Sequence, residues 1–101
     1  MTDSPKIAQP DKKTVTAANK QTRLCPMYHV ILHNDDVNTM LHVIRALMRV
    51  FNLSDTDAYQ IMITAHKTGQ ALCCTEPLEP AEFHRDQLRT FSLTATVEPA
   101  K

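Results

Sequence analysis

The stretch YHVILHNDDVNTM, residues 28–40, decides the fold, because it contains a strand, the end of that strand and the start of a helix. Residues 27–32 are mostly β-prone and lie between Pro26 and the polar triplet NDD (34–36), which predicts a first strand. Asn and Asp are ordinary turn formers after a strand, so the triplet alone favours a simple turn. Two adjacent carboxylates at the end of a core strand nevertheless ask for a second explanation.

After the triplet, apolar residues recur close to the 3.6-residue period of an amphipathic helix. Thr39 is available as the N-cap of a first helix, and Ser54 begins a second. Gly69, the only glycine, supplies the left-handed end of the second helix. The predicted apolar stripes are Met40, Val43, Ile44, Leu47, Val50 and Phe51 in the first helix, and Ala58, Ile61, Met62 and Ala65 in the second.

The C-terminal third contains three further elements. QALCCT (70–75) is predicted as a strand, PAEFHRDQLRT (80–90) as a helix with Pro80 at its first position, and FSLTATVE (91–98) as a last strand. The order β-α-α-β-α-β predicts a two-layer α+β fold, with a three-stranded antiparallel sheet and the helices on one face. Residues 1–24 are polar and lack periodicity, which predicts a disordered tail before a single domain, residues 25–101.

Composition argues against several classes of partner. Eleven basic and eleven acidic residues cancel, so no charge excess indicates nucleic acid or an anionic membrane. No apolar run approaches the roughly 18 residues of a membrane span, and the N-terminus has no apolar signal core. Three cysteines, two of them adjacent, suit a disulfide framework poorly and predict a reducing, cytoplasmic compartment.

Metal binding and catalysis are not expected. His29 and His33 share one strand face, but no Cys-x-x-Cys or helical His pair supplies the three or four convergent ligands of a zinc site. Cys73 and Cys74 are expected on opposite strand faces, one buried and one half-exposed. Neighbouring carboxylates on a turn usually diverge, and no base and oxyanion site accompany a cysteine. The sequence therefore predicts a protein that is not an enzyme and has no cofactor.

His66 is more informative than the other histidines. It lies four residues after Met62, so its imidazole is expected at the edge of the stripe that packs inward. The alternative is an exposed residue near a helix end, where a cation is tolerated by the helix dipole. The first placement puts a polar group at the rim of an apolar surface.

The run YHVILHNDDVNTM, followed by HKTGQA at residues 66–71, resembles the ATP-dependent Clp protease adaptor family ClpS. That family has a strand ending in Asn-Asp-Asp, a Met at the start of the next helix and a later His-x-x-Gly-x-Ala. The resemblance covers roughly residues 27–98. It implies an adaptor for N-degrons, proteins whose first residue is Leu, Phe, Tyr or Trp, which it passes to the N-terminal domain of a ClpA- or ClpC-type AAA+ unfoldase.

The resemblance also implies roles for individual residues. Asn34 and His66 accept hydrogen bonds from the substrate α-amino group, and Asp36 adds negative charge. A free α-amino group has a pKa of about 8 and is mostly an ammonium at neutral pH, so it requires such acceptors. Asp35 and Asn38 shape the loop and contact the peptide backbone. The implied hydrophobic pocket is Met40, Val43, Met62, Ala65 and Leu93, and the implied unfoldase-docking residues are Glu79, Glu82 and His84.

Several positions depart from the family pattern. Ala65 replaces a larger aliphatic residue, which predicts a deeper or wider pocket, and Asn38-Thr39 replaces a common Thr-Pro. His33 occupies a usually aliphatic position, so binding is expected to depend on pH through two histidines. Met40 resembles the gatekeeper that excludes β-branched side chains. Two other functions stay open at this point: a protein-interaction domain of the same fold that does not read N-degrons, and a small hydrolase using His66 and an Asp or Cys.

Overall fold

The computed structural model describes residues 25–100, so the predicted N-terminal tail lies outside the described residues. The elements are β1 (Met27–His33), α1 (Met40–Phe51), α2 (Asp55–Thr68), β2 (Gln70–Pro77), α3 (Leu78–Thr90) and β3 (Thr94–Pro99). Their order is the predicted β-α-α-β-α-β, and the predicted α+β fold class is confirmed. None of the helices in the described residues has the length and apolar character needed to span a membrane.

The sheet has the strand order β2-β1-β3, and both neighbours pair antiparallel with β1. The central strand is therefore the one whose last residues lead into the polar triplet. Val30 and Leu32 point to the side covered by the helices and belong to the hydrophobic core. The expectation that NDD ends a core strand is confirmed.

The helices contribute small and aliphatic residues to the core. Leu47 and Leu88 are among the largest fully buried side chains, from α1 and α3. The three predicted helix signals are present. The Thr39 hydroxyl accepts a hydrogen bond from the His42 amide, the Ser54 hydroxyl accepts one from the Asp57 amide, and Gly69 ends α2 in the left-handed conformation at φ 98°.

Several predicted boundaries were wrong: β1 and β2 continue to His33 and Pro77, past the predicted ends at Leu32 and Thr75. The third helix begins at Leu78, two residues before Pro80. Proline is tolerated throughout the first turn of a helix, where amide groups have no intrahelical partner, so Pro80 did not have to be the first residue. The last strand begins at Thr94 rather than Phe91, because Phe91 and Ser92 form a turn in which Ser92 has φ 66°.

A β-bulge at Cys73 interrupts the alternation of β2. Val30 pairs with Cys74 and Ile31 pairs with Leu72, so Cys73 is the additional residue on its strand. Both cysteines are partly buried and pack against the hydrophobic core. The prediction that they lie on opposite faces was wrong, because it assumed an unbroken period of two.

Candidate functional site

A cavity of about 200 Å³ opens where β1 ends, between the following loop and helices α1 and α2. Its wall and rim come from two segments of the chain, residues 32–43 and 62–66. The lining residues are Leu32, His33, Asn34, Asp35, Asp36, Asn38, Met40, Val43, Met62, Ala65 and His66. All five predicted polar residues and four of the five predicted pocket residues are therefore brought together.

The polar part of the rim is formed where β1 and α2 end side by side. The backbone amide of Asn34 donates a hydrogen bond to the Gly69 carbonyl at 3.0 Å. This bond continues the β1–β2 ladder beyond the His33–Gln70 pair. This contact ties the polar triplet to the last turn of α2, where His66 lies. Asn34, Asp36 and His66 are all exposed, so their polar groups are accessible to a ligand.

The side chains that form the apolar wall of the cavity are mostly buried. Met62 and Ala65 of α2 are 4% and 3% exposed, and Val43 of α1 is partly buried. Met40, the first residue of α1, is 49% exposed at the entrance. Leu32, which the sequence analysis did not assign to the pocket, also lines it.

Leu93 does not line this cavity. It is 4% exposed and belongs to the buried core cluster, one residue before β3. The family resemblance implied a place for Leu93 in the pocket. Its side chain instead packs in the same core cluster as Ala95 and lies outside the cavity.

The loop after β1 is held by Asp35. Its Oδ1 accepts hydrogen bonds from the amides of Val37 and Asn38, at 3.0 and 2.8 Å. The Asn38 side chain donates to Asp35 Oδ2 at 3.2 Å and to the Ser92 carbonyl at 2.8 Å. Burial alone would raise the pKa of Asp35, but these hydrogen bonds outweigh it, and with a smaller contribution from His42 they lower the pKa below 3.8. The ionised Asp35 carboxylate thus stabilises the conformation of the loop at the rim.

Two further histidines, one on β1 and one on α1, have hydrogen-bond partners. His33 lines the cavity, and its Nε2 lies 2.7 Å from the Thr96 hydroxyl on β3. His42 on α1 places Nε2 2.7 Å from the Phe91 carbonyl, so that nitrogen donates. Together with Asn38, His42 connects the start of α1 to the turn before β3.

The predicted docking residues lie on α3 and do not line the cavity. Glu79 is exposed, whereas Glu82 and His84 are partly buried. The His84 ring packs against Phe51 with centroids 5.0 Å apart, and its Nδ1 contacts the Glu76 carboxylate. The pairing of His84 with Glu76 of β2 was not predicted from the sequence.

The thiols of Cys73 and Cys74 lack the lowered pKa of an activated nucleophile. Burial raises the pKa of Cys73 to about 12. Burial also raises the pKa of Cys74 to about 12, with further contributions from its hydrogen bond to Glu76 and from that carboxylate's charge. Since the thiolate is the reactive form, neither cysteine is activated for catalysis at neutral pH.

Comparison with known proteins identifies the family of the chain that carries this site. The sequence model of a family described as "ATP-dependent Clp protease adaptor protein ClpS" matches residues 23–96. The chain belongs to the ClpS family. It is therefore a Clp protease adaptor, and the resemblance seen in NDD and HKTGQA is confirmed. The family is one of adaptor proteins, which agrees with the unreactive cysteines.

Relatives of this ClpS-family chain match over most of its length. A ClpS adapter protein of Synechococcus elongatus is 42% identical over 78 residues, which are 76% of this chain and 82% of the relative. A ClpS adapter protein of Prochlorococcus marinus is 39% identical over 97 residues, which are 95% of this chain and 89% of the relative. Among solved structures, Agrobacterium tumefaciens ClpS2 bound to L-phenylalaninamide matches with a TM-score of 0.70 at 30% identity, covering 74% of this chain and 98% of that one.

Proposed function

We propose that this chain is an N-degron adaptor, which binds the free α-amino group and the large hydrophobic first side chain of a substrate protein and delivers it to a Clp AAA+ unfoldase. One observation carries the proposal: an apolar cavity closed by Met62 and Ala65 has Asn34, Asp36 and His66 on its rim. The two parts match the two ends of an N-terminal residue, its side chain and its ammonium.

The size of the cavity supports an aromatic or long aliphatic first residue. An engineered cavity of about 150 Å³ binds benzene, so a cavity of about 200 Å³ has room for a phenyl ring. The ligand in the related structure, L-phenylalaninamide, combines such a ring with a free amino group. Leu, Phe, Tyr and Trp are the proposed first residues.

The polar rim would hold the ammonium through acceptors. Asn34 and His66 accept its hydrogen bonds in this proposal, and Asp36 supplies negative charge. Each charge-assisted hydrogen bond contributes roughly 1.5–3 kcal/mol, and burying a Leu- or Phe-sized side chain contributes a similar amount. Neither half alone reaches useful affinity, so both the amino group and the side chain are read. Asp35 and Asn38 are proposed to keep the loop in place and contact the peptide backbone.

The proposed partner is the N-terminal domain of a ClpA- or ClpC-type unfoldase. Glu79, Glu82 and His84 are proposed to contribute to that contact, since they lie on α3 away from the cavity and leave it free for substrate. The cytoplasm is the proposed place of action, because free thiols such as those of Cys25, Cys73 and Cys74 persist in reducing compartments.

A fluorescence-anisotropy titration tests the degron-reading function. A labelled peptide beginning with Phe is compared with its N-acetylated twin, which keeps the side chain and loses the ammonium. We expect the acetylated peptide to bind at least about 30-fold more weakly, corresponding to the loss of roughly 2 kcal/mol. Equal binding of the two peptides, or binding of neither, would instead support an interaction domain of the same fold that does not read N-degrons.

A further inference from the structure

A second group of chemically distinct side chains lies away from the degron cavity, between β2 and α3. Cys74 and Glu76 are two residues apart on β2, opposite Val30 and Tyr28 of β1, and so share the face that α3 covers. His84 reaches the same place from the second turn of α3. One potential ligand atom from each of the three residues lies within 4.8 Å of the others.

The three side chains are directed at one point. The Cys74 thiol donates a hydrogen bond to Glu76 Oε2 at 3.3 Å, and His84 Nδ1 contacts the same oxygen. A single carboxylate oxygen thus receives a thiol and an imidazole, each of which can replace its proton with a cation. Among the described residues, His84 is the basic side chain within ion-pair distance of Glu76, and the neighbouring Arg85 pairs with Asp86 at 2.9 Å.

We propose that Cys74, Glu76 and His84 form a binding site for a divalent transition metal of the zinc type. Thiolate, imidazole and carboxylate are the three ligand classes that Zn²⁺ takes in proteins, whereas Mg²⁺ and Ca²⁺ take oxygen ligands. The ion displaces the thiol proton, which leaves to solvent, and it binds the neutral imidazole of His84 through Nδ1, so that the ring hydrogen is then carried by Nε2. Thiolate and carboxylate then balance its two positive charges.

The geometry fits this assignment. Bond lengths of about 2.0–2.3 Å in a tetrahedral site put neighbouring ligand atoms roughly 3.2–3.7 Å apart, a range that includes the Cys74–Glu76 distance of 3.3 Å. The ion would separate His84 from Glu76, with Nδ1 turning toward it. The His84 and Glu76 side chains are 25% and 18% exposed, so a water molecule can reach the fourth position.

Packing fixes the supporting elements. Cys74 is packed against the hydrophobic core, and the His84 ring lies against Phe51 and Phe83, with centroids 5.0 and 5.7 Å away. Two ligands therefore come from a paired strand and the third from a helix packed on it. A site built on such elements loses little side-chain freedom when it binds an ion.

Calorimetric titration of the chelator-treated full chain with Zn²⁺ alone tests the site. Cys74→Ser and His84→Gln each remove one ligand, and Cys73→Ser is the matched control, since it changes the adjacent thiol outside the cluster. We expect one ion per chain in the unsubstituted protein and in Cys73→Ser. Because outer partners of metal ligands already contribute about 10- to 100-fold in affinity, loss of a direct ligand is expected to weaken binding by at least about 100-fold.

Cobalt provides a second readout that depends on the ligand itself. Co²⁺ bound by a thiolate gives a charge-transfer absorption band, expected in the unsubstituted protein and in Cys73→Ser and absent in Cys74→Ser. His84→Gln changes a partly exposed helix position and keeps the test decisive if Cys74→Ser does not fold. Failure of the unsubstituted chain to bind Zn²⁺ would overturn the proposal, as would Zn²⁺ affinities of Cys74→Ser and His84→Gln that both equal that of the unsubstituted chain.

Discussion

The backbone amide of Asn34 donates a hydrogen bond to the carbonyl of Gly69 at 3.0 Å, joining the residue after β1 to the residue that ends α2. This contact brings the polar triplet beside the turn of helix that carries His66. The rim of the cavity therefore depends on the conformation of a single glycine.

Substituting Gly69 is expected to reduce stability through its backbone. Its φ of 98° disfavours residues with a Cβ, while a Cβ added there has no atom within 4 Å. The cost is thus conformational, and we expect Gly69→Ala to lower the free energy of unfolding by about 1–2 kcal/mol in urea denaturation. Gly69→Asn should cost less, because Asn tolerates the left-handed region. Equal costs for both would show that the glycine matters for another reason.

The ammonium-binding assignment predicts losses at two exposed positions. Asp36→Ala and His66→Ala should each weaken binding of a Phe-initiated peptide by about 30-fold or more, since each removes roughly 2 kcal/mol of interaction with the charged amino group. Peptide titration by anisotropy measures this effect. Arg45→Ala on the exposed side of α1 is a matched surface control and should bind normally. Unchanged affinity in both cavity variants would place the amino group elsewhere.

Met40 is predicted to control which side chains enter. It stands half-exposed at the entrance, where it would crowd a branched Cβ. Met40→Ala should therefore improve binding of Ile- and Val-initiated peptides relative to Leu, reducing the difference between them by about tenfold, or 1.4 kcal/mol. A panel of peptides differing only in the first residue provides the measurement. An unaltered preference order would remove Met40 from the selectivity role.

Asp35 predicts a specific acid sensitivity. Its pKa is lowered in the folded protein below the usual 3.8. The ionised carboxylate therefore stabilises the fold at pH values above 3.8, and this contribution is lost as the pH falls through the lowered pKa. The stability difference between the unsubstituted protein and Asp35→Asn should be constant near neutrality and shrink below pH 3.8. Urea denaturation at a series of pH values measures it. A difference that grows on acidification would contradict the assigned direction.

Leu93 separates packing from binding. Because it is buried in the core and outside the cavity, Leu93→Ala should lower the free energy of unfolding by about 2–5 kcal/mol. Peptide affinity of the fraction that remains folded should change by no more than about twofold, or 0.4 kcal/mol. Stability comes from denaturation, and affinity from titration under folded conditions. A large loss of affinity with little loss of stability would return Leu93 to the pocket.

The sequence predicted what local signals encode. Alternation in β1, the caps Thr39 and Ser54, and the left-handed Gly69 each follow from residues close in the chain. The residues of the polar rim were predicted from the position of His66 at the edge of the α2 stripe and from the family resemblance of NDD and HKTGQA.

Features set by pairing between distant segments were missed. The bulge at Cys73 appears only when β2 is aligned with β1, and the turn at Phe91 and Ser92 shortens the predicted last strand. The Cys74, Glu76 and His84 cluster has no recognisable spacing, because a strand and a helix contribute to it separately.

The central place of β1 has a consequence for how the rim behaves as the protein warms. With hydrogen-bonded partners on both sides, its amides are expected to exchange with solvent only through openings close to global unfolding. Asn34 extends this ladder toward β2, so the rim has little scope to melt on its own. Peptide binding and the cooperative structure of the domain should therefore disappear at the same temperature.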